Sequence, residues 1–267
     1  MANGNGKAPA LPADDDHPSI TVEEYEARLR PLQLKMRSIS LAYRQQRLPA
    51  VIVIEGTDAA GKGGAIRRMT AELDPRHYDV WPIGAPTVEE ARNHYLWRFW
   101  QRIPERGMLS IFDRSWYGRV LVERVDGLAP EERWRRAYKE INQFERSLVD
   151  DGCRLVKLYF QISAAEQKAR LRERLDKPWK HWKLSSEDLR AFGQRAAYEQ
   201  AATEMFSETH TKRAPWNVIA ANTKKYARIK VLETVIVALE DGVDIVPPPL
   251  DARVQALGDE VLGPASR

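Results

Sequence analysis

Several features that would place a chain in a special class are scarce in this sequence. Its 267 residues include one cysteine, Cys153, so no disulfide can form within the chain. No apolar run approaches the roughly 18 residues of a membrane span, and the N-terminus has no apolar signal core. The net charge is only +4, which is too small to indicate nucleic-acid binding from bulk charge. We therefore expect a cytoplasmic protein that binds neither a membrane nor a nucleic acid.

Enough apolar sequence is present for one large domain. Hydrophobic residues make up 43% of the chain and charged residues 30%, a balance typical of a globular domain. Residues 1–18 are rich in Gly, Ala, Pro and Asp, which predicts a disordered tail. We expect a single domain over residues 19–245 and a C-terminal tail over residues 246–267, helical near residues 252–257.

From residue 51 onwards, apolar strands alternate with helical patterns. Strands are predicted at residues 51–55, 78–83, 108–113, 154–162 and 216–220. Helices are predicted between and after them, ending near Leu73, then from Thr87 to Arg102, Trp116 to Asp151, Ser163 onwards, Ser185 to His210, and over 224–240. This alternation predicts an α/β fold with a parallel sheet covered on both faces, and a ligand site at the carboxyl ends of its strands.

One more helix is expected before the first strand. Thr21 and Glu24 have the spacing of a capping box, and apolar residues recur at steps of three and four after them. Pro31 lies within this pattern and cannot donate a backbone hydrogen bond. We therefore expect a kink or a break near Arg30.

Residues 51–64 carry the strongest functional signal. An apolar strand ends at Gly56, four residues follow, and Gly61-Lys62 opens the next helix. This is the spacing of the phosphate-binding loop of nucleoside triphosphatases, in which glycines let backbone N–H groups converge on a phosphate. The helix N-terminus and the lysine add positive charge. The expected phosphate-binding positions besides Lys62 are Gly56, Ala59, Ala60, Gly61, Gly63 and Gly64. The alternative is a tight turn that binds nothing.

The residue after Lys62 departs from the standard loop, in which Ser or Thr holds Mg²⁺. Gly63 stands there, and Asp58 within the loop is the obvious substitute ligand. Asp113 ends an apolar strand, as a metal-linked carboxylate does in phosphoryl-transfer folds, although Asp also ends many strands as a turn former. Two adjacent carboxylates repel unless a cation lies between them. We therefore predict that Asp58 and Asp113 share Mg²⁺, with Mn²⁺ as the alternative ion.

Basic residues extend this predicted site in two places. Arg114 and Arg119 follow Asp113 and would flank a polyanion, unless both are surface residues at a helix start. Residues 165–190 are rich in Lys and Arg, including like charges four residues apart that weaken an isolated helix. We interpret residues 165–190 as a lid that closes over phosphates. The alternative is a solvated helical hairpin.

Several motifs together resemble those of the polyphosphate kinase 2 family. They are residues 55–64, Ala85-Pro86-Thr87, residues 94–98, residues 112–119, Trp182-Lys183-Leu184-Ser185, and Ala214-Pro215-Trp216. They span about residues 22–240, and the family's loop likewise has Gly after the lysine and Asp within it. The resemblance implies a P-loop kinase-like three-layer α/β/α sandwich with a helical lid, assembled as a homodimer or homotetramer.

The resemblance also implies the roles of individual residues. Asp58 and Asp113 would be catalytic, metal-linked carboxylates, and Lys62 and Arg114 would hold the transferring phosphate. The lid residues that meet phosphates on closure would be Arg174, Lys180 and Lys183.

The implied reaction is a reversible, Mg²⁺-dependent transfer of the terminal phosphoryl group between inorganic polyphosphate and an adenine or guanine nucleotide. The acceptor is a nucleoside mono- or diphosphate, so that AMP gives ADP, ADP gives ATP, or both. Gly118 makes the chain similar to the AMP-phosphorylating branch. Two alternatives stand beside this prediction: an ATP-dependent nucleoside monophosphate kinase, and a phosphate-binding module without catalytic activity.

Overall fold

A parallel five-stranded sheet forms the centre of the computed structural model, which describes residues 7–263. The strands are β1 (Ala50–Gly56), β2 (Tyr78–Pro82), β3 (Leu109–Asp113), β4 (Arg154–Gln161) and β5 (Trp216–Ala220). Their spatial order is β2-β3-β1-β4-β5, and every neighbouring pair is parallel. Parallel neighbours need crossover connections, and these connections carry the helices. All five predicted strands are present, and their observed ends differ from the predicted ones by at most one residue.

Eleven α-helices and three short 3₁₀ turns make up the other regular elements of residues 7–263. The helices are α1 (Val22–Gln46), α2 (Lys62–Met69), α3 (Val88–Ala91), α4 (Trp97–Trp100), α5 (Val122–Val125), α6 (Glu131–Asp150), α7 (Ala164–Asp176), α8 (Ser186–Gly193), α9 (Arg195–Thr209), α10 (Lys224–Glu240) and α11 (Ala252–Leu262). The 3₁₀ turns are Pro75–His77, Trp116–Arg119 and Pro178–Lys183. None of the helices in this described part of the chain has the length and hydropathy that a membrane crossing requires.

Two hydrophobic cores lie on opposite faces of the sheet. Successive side chains of β1 point to opposite faces, so Ile52 and Ile54 enter the first core while Val51 and Val53 enter the second. Helices α1, α2 and α10 cover the first core, and α6 and α9 cover the second. The predicted α/β fold with three layers is therefore confirmed.

The helix expected from Thr87 to Arg102 is instead two single turns, α3 and α4. The Thr87–Glu90 capping box is present, but the Asn93 side-chain amide donates to the carbonyl of Glu89. The His94 ring accepts from the N–H of Leu96, so side chains replace the helical backbone ladder. The helix expected from Ser185 to His210 is also two helices, which meet at Gly193 and Gln194. Glycine is a poor interior helix residue, which favours an end there.

A kink or a break was expected near Arg30. The structure has no break there, because α1 runs through Pro31 as one helix. Proline removes one hydrogen bond, but tertiary contacts on both sides of it hold the helix against α10. Arg28 pairs with Glu233 at 2.5 Å, and Lys35 pairs with Glu240 at 2.7 Å.

The predicted N-terminal tail falls partly outside the described residues, since residues 1–6 are not described. Residues 7–18 contain neither helix nor strand, yet Ala8 and Leu11 pack against the second core. This part of the segment therefore lies on the domain, because its apolar side chains find a surface to cover. At the other end, the short helix expected near residues 252–257 extends to Leu262 as α11.

Candidate phosphate and phosphoryl-transfer site

The loop between β1 and α2 has a backbone that only glycine can adopt at its first position. Gly56 has φ +132°, and a Cβ there would lie 2.2 Å from the carbonyl oxygen of Phe160 on β4. The next residue, Thr57, donates its N–H to that same carbonyl at 2.9 Å. Gly61, with φ +101°, turns the chain into α2. The loop therefore lies tight against the end of the sheet, with the N-terminus of α2 behind it.

Lys62 reaches back across this loop. Its Nζ donates to the carbonyls of Gly56 at 2.7 Å and Thr57 at 3.1 Å, and lies 3.9 Å from Oδ1 of Asp58. The side chain is largely buried. The ammonium is thus held at the loop by weak neutral acceptors, which a phosphate oxygen can replace.

The structure brings Asp58 and Asp113 to the same site. Strands β1 and β3 are neighbours with Ile54 opposite Asp113, so the carboxylate at the end of β3 lies beside the loop. A Cβ built on Gly63 would be 4.0 Å from Oδ2 of Asp113. Both carboxylates line one cavity of about 1060 Å³, together with Lys62 and the loop residues from Ala59 to Gly64.

These two carboxylates are the residues that would hold the predicted Mg²⁺ or Mn²⁺. Residues 7–263 contain no group of three or more His, Cys, Asp or Glu side chains with metal-binding geometry. Mg²⁺ is usually held by one or two carboxylates together with water and substrate phosphates, because it gives up water reluctantly. Asp58 and Asp113 fit an ion that arrives with a phosphate, and they do not form an all-protein cage.

Arg114 lies at the centre of the site in a strained conformation. Its φ of +67° is unusual for a residue with a side chain, and the N–H of Arg114 donates to the carbonyl of Ile54 at 3.0 Å. Its guanidinium donates to Oδ1 of Asp58 at 2.7 Å. Burial opposes the guanidinium charge, but the carboxylates of Asp58, Glu55 and Asp113 keep the pKa of Arg114 above its usual value. Strain of this kind often marks a functional position.

A buried hydrogen bond joins the β1 loop to the segment after β3. Ser115 donates its hydroxyl to Oε1 of Glu55 at 2.7 Å, and its own Oγ accepts from the N–H of Tyr117 at 3.3 Å. Burial raises the pKa of the Glu55 carboxyl, and the Ser115 hydrogen bond opposes that rise. Neither residue was singled out as a site residue from the sequence, where an acidic residue before the loop glycine was the available signal.

The predicted lid residues face the loop across the same cavity. Arg174 donates to the carbonyl of Lys183 at 2.7 Å and lies 3.6 Å from Asp188. Lys180 pairs with Glu173 at 2.7 Å, and hydrogen bonds from Lys177 and Lys180 lower the pKa of Glu173 to about 2. The cavity lining includes Arg174, Lys180 and Lys183. The segment expected over residues 165–190 comprises α7, the 3₁₀ turn Pro178–Lys183 and the start of α8.

A second cavity of about 550 Å³ adjoins the first. Asp58 and Arg114 line both cavities, so their ion pair lies between them. Arg119 lines only the second cavity, where it pairs with Glu123 at 3.0 Å and covers the Tyr95 ring at 4.5 Å. The two arginines predicted to flank one polyanion therefore share only the second cavity, and Arg114 alone of the two reaches the first.

The family model described as "Polyphosphate kinase 2 (PPK2)" matches residues 19–244. The chain belongs to the polyphosphate kinase 2 family. The crystal structure of polyphosphate kinase 2 from Arthrobacter aurescens TC1 is similar, with a TM-score of 0.88 at 33% identity over 96% of this chain and 94% of that one. The expected kinase-like fold is thereby confirmed.

Relatives within the polyphosphate kinase 2 family carry several substrate names. The polyphosphate:AMP phosphotransferase of Pseudomonas syringae pv. tomato is 45% identical over 240 residues, 90% of this chain and 48% of the relative. The AMP/ADP-polyphosphate phosphotransferase of Meiothermus ruber is 37% identical over 231 residues, 85% of this chain and 86% of the relative. The chain spans about half the length of the first curated relatives it matches.

Four basic residues that line the first cavity of this polyphosphate kinase 2 family member were not predicted from the sequence. They are Arg67 and Arg68 on α2, and Lys224 and Arg228 on α10. Arg67 and Arg68 follow Gly64 by three and four residues and were a visible signal. Helix α10 is distant in sequence and could be placed only through the sheet order. Arg170, which belonged to the basic run, has a different position from the rest of it. Its buried guanidinium donates to the carbonyls of Ala59 at 2.9 Å, Ala221 at 2.9 Å and Asn222 at 2.6 Å.

Proposed function

We propose that this protein transfers the terminal phosphoryl group between inorganic polyphosphate and a nucleoside mono- or diphosphate, reversibly and with Mg²⁺. The observation that carries the proposal is that two cavities meet at the Asp58–Arg114 ion pair. One cavity contains the phosphate loop and a surrounding set of cations, and the other has a mixed polar and apolar lining. Two substrates can therefore meet end to end. The names of the relatives, which include AMP, ADP and both, support this assignment.

The first cavity suits a polyanion longer than a single triphosphate. Basic side chains line it from three directions: the loop and α2, the lid, and α10. Each phosphate unit of a chain brings negative charge that needs compensation, and cations arranged around a cleft provide it without reorganising. Loop N–H groups and Lys62 hold the terminal unit in this proposal, and Arg174, Lys180 and Lys183 bind units beyond it.

The second cavity would hold the acceptor nucleotide. Its apolar wall includes Phe99, Leu121 and Val122, which can contact a base or a ribose. The acceptor phosphate would then point to Arg114, where the cavities join. A phosphate oxygen is already an anion and needs no general base, so no covalent intermediate is required. Arg114 and Lys62 stabilise charge on the equatorial oxygens of the transferring group.

Asp58 and Asp113 would hold Mg²⁺, or Mn²⁺ in its place. When bound, the ion neutralises phosphate charge and aligns donor and acceptor oxygens. Asp58 already accepts a hydrogen bond from Arg114 on Oδ1. We extend the proposal to a cytoplasmic homodimer or homotetramer that binds neither nucleic acid nor membrane.

The test is to incubate the protein with polyphosphate and Mg²⁺, without ATP, and with AMP, ADP, GMP or GDP in separate reactions. Chromatography of the products is expected to show ADP from AMP, ATP from ADP, or both, and to identify the preferred base. Asp113→Asn is the control and should abolish product formation. If product forms only in a parallel reaction with ATP in place of polyphosphate, the protein is an ATP-dependent nucleoside monophosphate kinase. Nucleotide binding without turnover in either reaction would indicate a non-catalytic module.

A further inference from the structure

An ion pair lies wholly inside the second core, behind the site. Lys157 projects from the middle of β4 with no exposed surface, and its Nζ donates to Oε2 of Glu145 on α6 at 2.8 Å. It also donates to the hydroxyl of Tyr117 at 3.0 Å and the carbonyl of Thr209 at 2.7 Å. Oε1 of Glu145 accepts from the Tyr117 hydroxyl at 2.6 Å and from Nε1 of Trp116 at 3.1 Å. Every proton of the ammonium thus has an acceptor.

Stability alone gives little reason for this arrangement. Burial lowers the pKa of Lys157, and Glu145 opposes that change, so the pair offsets a desolvation cost that an apolar pair would not have. Replacing buried ion pairs with apolar residues of similar volume is often neutral or stabilising. The surrounding residues, including Phe144 and Trp216, already form an apolar core. What the ion pair adds is a fixed position for the groups that it binds.

The groups that it binds belong to the segment that carries the site. Trp116 and Tyr117 begin the 3₁₀ turn directly after Asp113, Arg114 and Ser115. Ser115 is held from the β1 side by Glu55, and the next two residues are held from the α6 side by Glu145. A strained residue such as Arg114 keeps its conformation only when its neighbours are fixed.

We propose that Glu145, whose charge Lys157 compensates, is a positioning residue that acts through Trp116 and Tyr117 to fix Asp113 and Arg114 for phosphoryl transfer. Neither Lys157 nor Glu145 lines either cavity, so their effect on the reaction passes through the turn. The inference rests on the proposed function, because it assumes that Asp113 and Arg114 act on the transferring phosphate. A displacement of the turn would leave substrate binding by the loop and lid in place, while misaligning the reacting groups.

Two double variants that both lack the ion pair test the proposal. K157M/E145Q keeps a side-chain oxygen that accepts from Trp116 and Tyr117, whereas K157M/E145L removes it. We expect the kcat of the Leu variant to be at least about tenfold below that of the Gln variant, with both KM values within about twofold. Equal kcat values in two folded variants overturn the proposal. If the Leu variant does not fold, Tyr117→Phe decides, since it removes one oxygen atom: a lowered kcat at unchanged KM supports the proposal, and an unchanged kcat overturns it.

Amide hydrogen exchange over residues 113–119 separates this inference from the proposed function, because it needs no turnover. Faster exchange in the Leu variant than in the Gln variant shows that the acceptor oxygen of residue 145 fixes the turn. If the wild-type protein then transfers no phosphate, the proposed function is contradicted, while the effect of residue 145 on the turn stands. Equal exchange in both variants overturns the positioning role whatever the activity.

Discussion

Lys62 is the residue whose charge the proposed reaction uses most directly. Lys62→Ala should lower kcat by roughly 10²- to 10³-fold, because one preorganised contact to developing charge is lost. Steady-state kinetics with polyphosphate and AMP or ADP measure this change. Lys230→Ala is the control, since Lys230 is exposed on α10 and lines neither cavity. A Lys62 variant with wild-type kcat would mean that the loop does not hold the transferring group.

Gly56 tests whether the loop geometry depends on a missing side chain. Gly56→Ala should destabilise the protein by about 2 kcal/mol or more, because its Cβ would overlap the Phe160 carbonyl in addition to straining the backbone. Gly127→Ala separates the two causes. Gly127 has φ +68° and open space around it, so only the backbone strain of about 1 kcal/mol should appear. Urea unfolding of both variants gives the comparison, and equal losses would contradict the close contact.

For individual residues, the sequence predicts the positions of those that depend on local spacing. Lys62 and the strand-end Asp113 line the same cavity as expected, because the loop spacing and the strand ends determine where they lie. Gly56 contacts Lys62 through its carbonyl but lines the second cavity. Arg119 is different: it lies five positions after Arg114, at the end of the 3₁₀ turn, and it lines the second cavity but not the first. The buried pair of Lys157 and Glu145 could not be inferred, because a lysine in a strand gives no sign of its buried partner.

The lid is the element on which donor recognition depends in the proposed function. Lys183→Ala should raise the KM for polyphosphate roughly two- to fivefold, since an exposed charge contributes up to about 1 kcal/mol. The KM for the nucleotide should not change. Arg172→Ala is the matched control within the same segment, because Arg172 is 70% exposed and its one ion pair among residues 7–263 is with Asp176. Initial-rate measurements at varied polyphosphate concentration provide the values; an unchanged KM for Lys183→Ala would show that this residue does not meet the donor.

Element types were easier to predict from the sequence than element lengths. The strands could be placed because each is a short apolar run, and Ser163 caps α7 as its pattern indicates. The helix expected around residues 88–102 is interrupted where the Asn93 and His94 side chains form hydrogen bonds that replace the helical ladder. The helix expected around residues 185–210 is interrupted at Gly193, a poor interior helix residue. At Pro31 the sequence allowed a break that the structure does not have, because packing of α1 against α10 outweighs one missing hydrogen bond.

For the whole molecule, polyphosphate binding should appear as thermal stabilisation. A donor present at a hundred times its Kd adds about 2.7 kcal/mol, which corresponds to a rise in Tm of about 5–10 °C for a domain of this size. Differential scanning fluorimetry without nucleotide measures it. Orthophosphate at equal phosphate concentration should give a much smaller shift, because one unit cannot contact both loop and lid. The shift should shrink as salt rises, and its absence at low salt would argue against a polyanion site.

The Arg170 contacts determine which part of the lid is free to move. One buried guanidinium fastens the first half of α7 to the phosphate loop at Ala59 and to the chain after β5 at Ala221 and Asn222. The first half of α7 is therefore fixed to the core of the domain, and in the proposed lid closure bending would begin beyond the buried Leu171. Movement of Arg174, Lys180 and Lys183 toward bound polyphosphate would then pivot within one or two helical turns of the loop. Arg170 would therefore fix both the position of the loop and the base of the segment that binds the donor.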